Sequence, residues 1–90
     1  MEFEWDERKS RSNELKHGID FKTARKLWMD EYRVEVQTNF PIENRSILIG
    51  KIEKTLWVAI FTRRDNTIRI ILVRRARDKE KRLYEKKENS

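Results

Sequence analysis

Arginine is the residue of this chain whose type and spacing most directly suggest chemistry. Arg63 and Arg64 stand before a short apolar run that carries Arg69, and Arg74 and Arg75 close it. Nine of the twenty residues from Arg63 to Arg82 are Lys or Arg, opposed only by Asp65, Asp78 and Glu80. A guanidinium is a planar fork that donates paired hydrogen bonds to phosphate, so arginine at this density on an ordered strand suits a polyanion, RNA or DNA. The charge is also uneven. Residues 1–32 hold seven basic and eight acidic side chains, whereas residues 33–90 hold fifteen and eight, giving −1 and +7 and the overall +6. The basic half is the half that reads as strands.

Length and composition bound what can position these groups. Ninety residues make a single domain, 1–90. A chain of this size buries only about 60–65% of its extended surface, so modest stability is expected and a partner would help it. The charged content of 42% and mean hydropathy of −0.97 lean towards disorder. Against that, Ser46–Ile52, Leu56–Thr62 and Ile68–Val73 are apolar, β-branched and aromatic, as strands are. With no cysteine there is no disulfide framework and no thiolate zinc site. No metal or other cofactor is expected. The N-terminus carries no apolar signal region, and no run approaches the roughly 20 apolar residues of a membrane helix, so a cytoplasmic protein with no membrane association is expected.

The elements follow from local pattern. Glu2–Trp5 alternates and reads as a short strand. Asp6 caps a helix over Glu7–His17, which Gly18 stops. Asp20 caps a second helix whose stripe, Phe21, Ala24, Leu27 and Trp28, packs on a sheet and ends near Met29–Asp30. Arg33–Thr38 alternates as a half-exposed strand, broken at Phe40-Pro41. Arg45–Glu53 is the next strand, and Gly50 within it marks a bulge or a close approach. Leu56–Arg63 is apolar on both faces, as a central strand is. A tight turn at Asp65-Asn66 leads to an antiparallel return over Ile68–Arg75. Asp78 caps a last helix that runs to about Lys87, with residues 85–90 fraying. The expected class is α+β: a small antiparallel sheet with two N-terminal helices packed on it and a C-terminal helix.

Strand geometry constrains the arginines. On a regular strand residues 69 and 75 share a face and 74 lies on the other, and a two-residue turn puts Arg64 with Arg69 and Arg75. They serve one site together only if a bulge or strong twist intervenes. Arg64 and Arg69 are the expected core, with Arg74 third.

The ordered set of phrases FEWDERK, N-x-x-KHGI-x-F-x-x-A, ENRSILIG, T-x-R at Thr62–Arg64, and RII-x-x-RRA-x-x-x-E-x-x-xY resembles the BrnT family from Phe3 to Tyr84. The resemblance implies a type II toxin with a RelE-like fold that cleaves RNA and stops translation. It also implies a BrnA-like antitoxin, a small DNA-binding protein that neutralises the toxin and brings the complex to operator DNA, with a dimer of toxin–antitoxin units as one assembly. The chain departs from the family at Leu72, where a serine is usual, and at Arg63, where an acid is usual. No proline follows Asp30.

Metal-independent RNA cleavage needs a base for the 2′-hydroxyl, cations for the phosphorane and an acid for the leaving oxygen. One histidine rules out a histidine pair within one subunit, so arginine electrostatics must dominate. His17 reads either as a contact at the helix C-terminus or as a proton-transfer group, since Lys16-His17-Gly18 matches the family phrase. Arg45 is either one of a surface ion pair with Glu43 or, as the resemblance implies, part of the active surface. Glu43 would then accept a proton or orient Arg45. Arg63, Arg75, Lys51 and Lys54 are expected RNA contacts. Tyr84 and the three tryptophans read as packing residues. The same residues leave open a non-catalytic RNA- or DNA-binding module, or a degenerate toxin confined to antitoxin binding and operon repression.

Overall fold

The computed structural model describes residues 1–38 and 44–90. The expected break at Phe40-Pro41 and the candidate Glu43 lie outside them. In chain order the elements are β1 (Glu2–Glu4), α1 (Glu7–His17), α2 (Phe21–Ala24) running into a 3-10 turn (Arg25–Met29), β2 (Val34–Thr38), β3 (Arg45–Ile52), β4 (Thr55–Arg64), β5 (Thr67–Arg75) and α3 (Asp78–Glu88). The strands form one sheet in the order β1-β5-β4-β3-β2.

The class is α+β as expected, but the sheet is mixed. β2 to β5 form an antiparallel meander, whereas β1 joins the outer edge of β5 in parallel, Phe3 opposite Ile68 and Glu4 opposite Arg69. The second helix is also less regular than its stripe suggests, with four α-helical residues before a 3-10 turn. Both expected caps form: Asp6 accepts from the amides of Arg8 and Lys9, and Asp20 from that of Thr23. Gly18 closes α1 at φ 83°, donating its amide to the Glu14 carbonyl. At α3 the cap residue is Arg77 rather than Asp78, its amide held by Glu80 at 2.7 Å, and the helix extends through Glu88.

The two sheet faces bury different cores. On one, Phe21, Ala24, Leu27 and Trp28 pack over Leu48, Trp57, Ala59, Phe61, Ile68, Ile70 and Val73. Each large side chain fully buried here contributes about 1.5–3 kcal/mol of transfer free energy. Gly50 serves the close approach: a Cβ there would stand 3.2 Å from both the carbonyl oxygen and Cδ2 of Leu27, so the 3-10 turn lies directly on the strand. On the other face α3 buries Tyr84 against a smaller cluster containing Ile49, Val58 and Ala76.

α1 holds on by polar contacts instead. Leu15, its one strong apolar residue, is exposed, while Ser10 and Asn13 are buried. The Asn13 amide donates to the Val73 carbonyl (2.9 Å) and accepts from the Val73 amide (3.0 Å), acting as a one-residue strand on the edge of β5 beyond the end of β1. It also donates to the Ile19 carbonyl, and Ser10 Oγ accepts from the Phe21 amide. α1 is thereby fixed to the sheet and to the start of α2.

Candidate active site

A β-bulge decides which arginines share a surface. β4 and β5 pair regularly from Arg64–Thr67 to Phe61–Ile70, but the next pair is Ile60–Leu72, leaving Ile71 as an extra residue. The extra residue resets the alternation of β5. Ile68, Ile70 and Val73 consequently enter one core, and Arg74, paired with Val58, joins the face of Arg69. Arg75 turns to the opposite face, over the Trp57 ring at 5.6 Å, which corrects the expectation that it accompanies Arg64 and Arg69.

At the end of the sheet remote from α3, the register sets a row across the strands: Glu4 opposite Arg69, Arg69 opposite Thr62, Thr62 opposite Arg45. Arg64 and Thr67 form the adjacent pair. Neighbouring side chains in such a row stand roughly 4.5–5.5 Å apart, close enough to act on one phosphate. Glu4, Thr62, Arg64, Thr67 and Arg69 line a pocket of about 240 Å³. Glu4 Oε2 accepts from Arg69 Nη1 at 2.8 Å, with both side chains about half exposed. Among the described residues no ion pair engages Arg64 or Arg45. Two hydroxyls, two arginines and a carboxylate in one concavity can hold a phosphate and receive a proton.

The remaining candidates lie elsewhere. Arg74 is clamped by Glu80 through two hydrogen bonds of 2.9 and 2.8 Å, with side-chain exposures of 16% and 14%. That contact holds the Glu80 carboxyl below its ordinary pKa against the opposing effect of burial, and raises that of Arg74. It ties the start of α3 to β5. Arg63 lies on the α2 face, paired at two points with Glu35, which it holds below the usual carboxylate range. Lys51 is at the other end of β3, bonded to Glu88, and Lys54 is exposed in the following turn. His17 is half-buried in a groove of about 310 Å³ with Lys9, Lys16, Ile71 and Leu72. That groove shares no lining residue with the arginine pocket. The C-terminal cap of α1 is made by the Gly18 amide, and the Leu72 departure sets an apolar side chain beside His17.

Tyr84 is a packing residue with a polar anchor, 1% exposed, its hydroxyl donating to Asp30 at 2.7 Å. Burial and the Asp30 carboxylate push the tyrosine pKa far above its ordinary value. Trp28 and Trp57 are buried and Trp5 half-buried, as their core-like positions suggested. Residue-by-residue reading passed over Glu4, Thr62 and Thr67. The alternation of Glu2–Trp5 puts Glu4 opposite the aromatic face, but nothing local reveals Arg69 as its partner.

A family model described as the ribonuclease toxin BrnT of type II toxin–antitoxin systems matches residues 5–80. No curated protein matches the chain. With its match running from Trp5 to Glu80, the chain belongs to the BrnT family of type II toxin–antitoxin ribonuclease toxins.

Proposed function

We propose that this protein is an endoribonuclease that cuts RNA without a metal ion, on the open end of its sheet, with Arg64 and Arg69 holding the scissile phosphate and Arg45 extending the cationic row. The observation that carries the reading is the convergence of Arg64, Arg69, Thr62 and Thr67 on one pocket beside a carboxylate. Arginine forks preset in this way stabilise the charge that develops on phosphorus, and Thr62 and Thr67 add neutral donors. Arg74 steadies α3, and His17 serves a neighbouring stretch of RNA rather than the reacting phosphate.

The fold is read as RelE-like and the outcome in the cell as inhibition of translation in the cytoplasm. Among the described residues no helix is long and apolar enough to cross a membrane. A BrnA-like antitoxin covers the cationic face, and operator DNA is reached only through that complex, which can form a dimer of toxin–antitoxin units. The test is incubation of the purified protein with RNA in excess chelator, followed by mapping of the ends. Discrete cuts leaving 2′,3′-cyclic phosphate and 5′-hydroxyl ends are expected. Cleavage abolished by the chelator and restored by a divalent ion contradicts the metal-independent reading.

A further inference from the structure

Glu4 stands directly opposite Arg69 in the register and meets it at one point only. β1 is anchored by the Glu2 amide on the Asn66 carbonyl at 3.0 Å and by Phe3, whose ring meets Trp28 edge-on at 5.2 Å on the α2 face. Strand alternation then sends Glu4 to the arginine face, directly opposite Arg69. Arg63–Glu35 and Arg74–Glu80 are two-point pairs that use both carboxylate oxygens. Glu4 and Arg69 touch only through Oε2 and Nη1. That leaves Oε1 able to accept a further proton donor and the other edge of the Arg69 fork able to bind phosphate. Glu2 stands opposite Thr67 but does not line the pocket.

We propose that Glu4 is the general base of the reaction, a role that rests on RNA cleavage at the Arg64–Arg69 pocket. Its carboxylate takes the proton of the ribose 2′-hydroxyl while that oxygen forms a bond to the neighbouring phosphorus. The bond from phosphorus to the 5′-oxygen breaks, the leaving oxygen takes a proton from water, and Glu4 returns its proton to solvent. The products are a 2′,3′-cyclic phosphate and a 5′-hydroxyl, with no other reactant. Arg69 has two duties: it aims the carboxylate and holds the phosphate beside it.

The test is single-turnover cleavage by Glu4→Gln, which preserves shape and the contact to Arg69, alongside the affinity for the same RNA with a 2′-deoxy sugar at the cut. The expected result is a rate loss of about 10²–10⁴-fold, the usual contribution of general base catalysis, with affinity unchanged. Glu4→Asp recovers part of the rate. In an Arg69→Lys background Glu4→Gln lowers the rate again. A residue that only positioned Arg69 would add nothing there, and that outcome overturns the assignment. Wild-type cleavage matched by Glu4→Gln overturns the base role and leaves the ribonuclease reading standing. A wild-type protein that cuts no RNA overturns both.

Discussion

Arg69 and Arg74 stand five positions apart on β5, an odd separation, yet project from the same face of the sheet because Ile71 is an extra residue in the pairing with β4. Sharing a face does not give them one task. Arg69 sits in the open pocket, held at one point by Glu4, whereas Arg74 is closed onto Glu80 at the foot of α3.

Arg74→Met should therefore act on stability. Removing a largely buried, doubly hydrogen-bonded charge partner costs about 1–3 kcal/mol, which lowers the melting temperature by roughly 4–8 °C per kcal/mol in a domain of this size. Thermal melts by circular dichroism read this directly. The folded fraction should keep a near wild-type cleavage rate. An unchanged melting temperature with lost cleavage would show that Arg74 reaches the RNA.

Attachment of α3 should fail in acid. Burial alone would raise the Asp30 pKa, but hydrogen bonds from Tyr84 and the amides of Tyr32 and Lys51 together hold it below 3.8. Arg74 holds Glu80 below 4.5. Groups with depressed folded pKa values contribute stability above their unfolded values and lose it as pH falls through the folded ones. Urea midpoints should thus vary little through these groups between about pH 5 and 8 and fall below about pH 4. Tyr84→Phe and Glu80→Gln should each flatten that fall. Undiminished wild-type stability at pH 3 would contradict the assignment.

Asn13→Ala should destabilise more than an exposed helical position would. It strips the partner from both the amide and the carbonyl of Val73, and each buried group left unpaired costs about 1–3 kcal/mol. Hydrogen exchange at the Val73 amide should accelerate well beyond that of its neighbours in β4. Equal protection in the variant would mean that another group satisfies the strand edge.

What the sequence disclosed divides along physical lines. Strands β3 to β5 were legible because apolar, β-branched and aromatic content and the Asp65-Asn66 turn agree, and α1 because Asp6 and Gly18 mark its ends. The bulge was hidden inside Ile70-Ile71-Leu72-Val73, an apolar run with no alternation to betray a change of phase. The parallel pairing of β1 joins residues some sixty positions apart and leaves no local pattern. The apolar stripe from Phe21 to Trp28 fits α and 3-10 geometry alike. For the site, arginine density pointed to Arg64 and Arg69, but which face each arginine takes depended on the bulge. Glu4 and Thr62 gain meaning only from the register.

RNA affinity should fall steeply with salt, with a log–log slope of several units, because each phosphate contact releases a counterion. Arg45→Ala, Arg64→Ala and Arg69→Ala should each reduce that slope by about one unit. Lys51→Ala and Lys54→Ala should leave it nearly unchanged, since those residues lie at the far end of the sheet and Lys51 already pairs with Glu88. Equal effects from all five would indicate a diffuse basic surface without a defined track.

Stabilisation of the cleavage transition state by Arg64 and Arg69 is read from the single-turnover rates of Arg64→Ala and Arg69→Ala on one mapped RNA cut. Each should lose about 10²–10³-fold in rate, the usual effect of removing one preset donor. Circular dichroism should stay as in the wild type, and lysine at either position should restore little because a point charge cannot make a two-point contact. If both alanine variants cut at the wild-type rate, the pocket at Arg64 and Arg69 is not the active site.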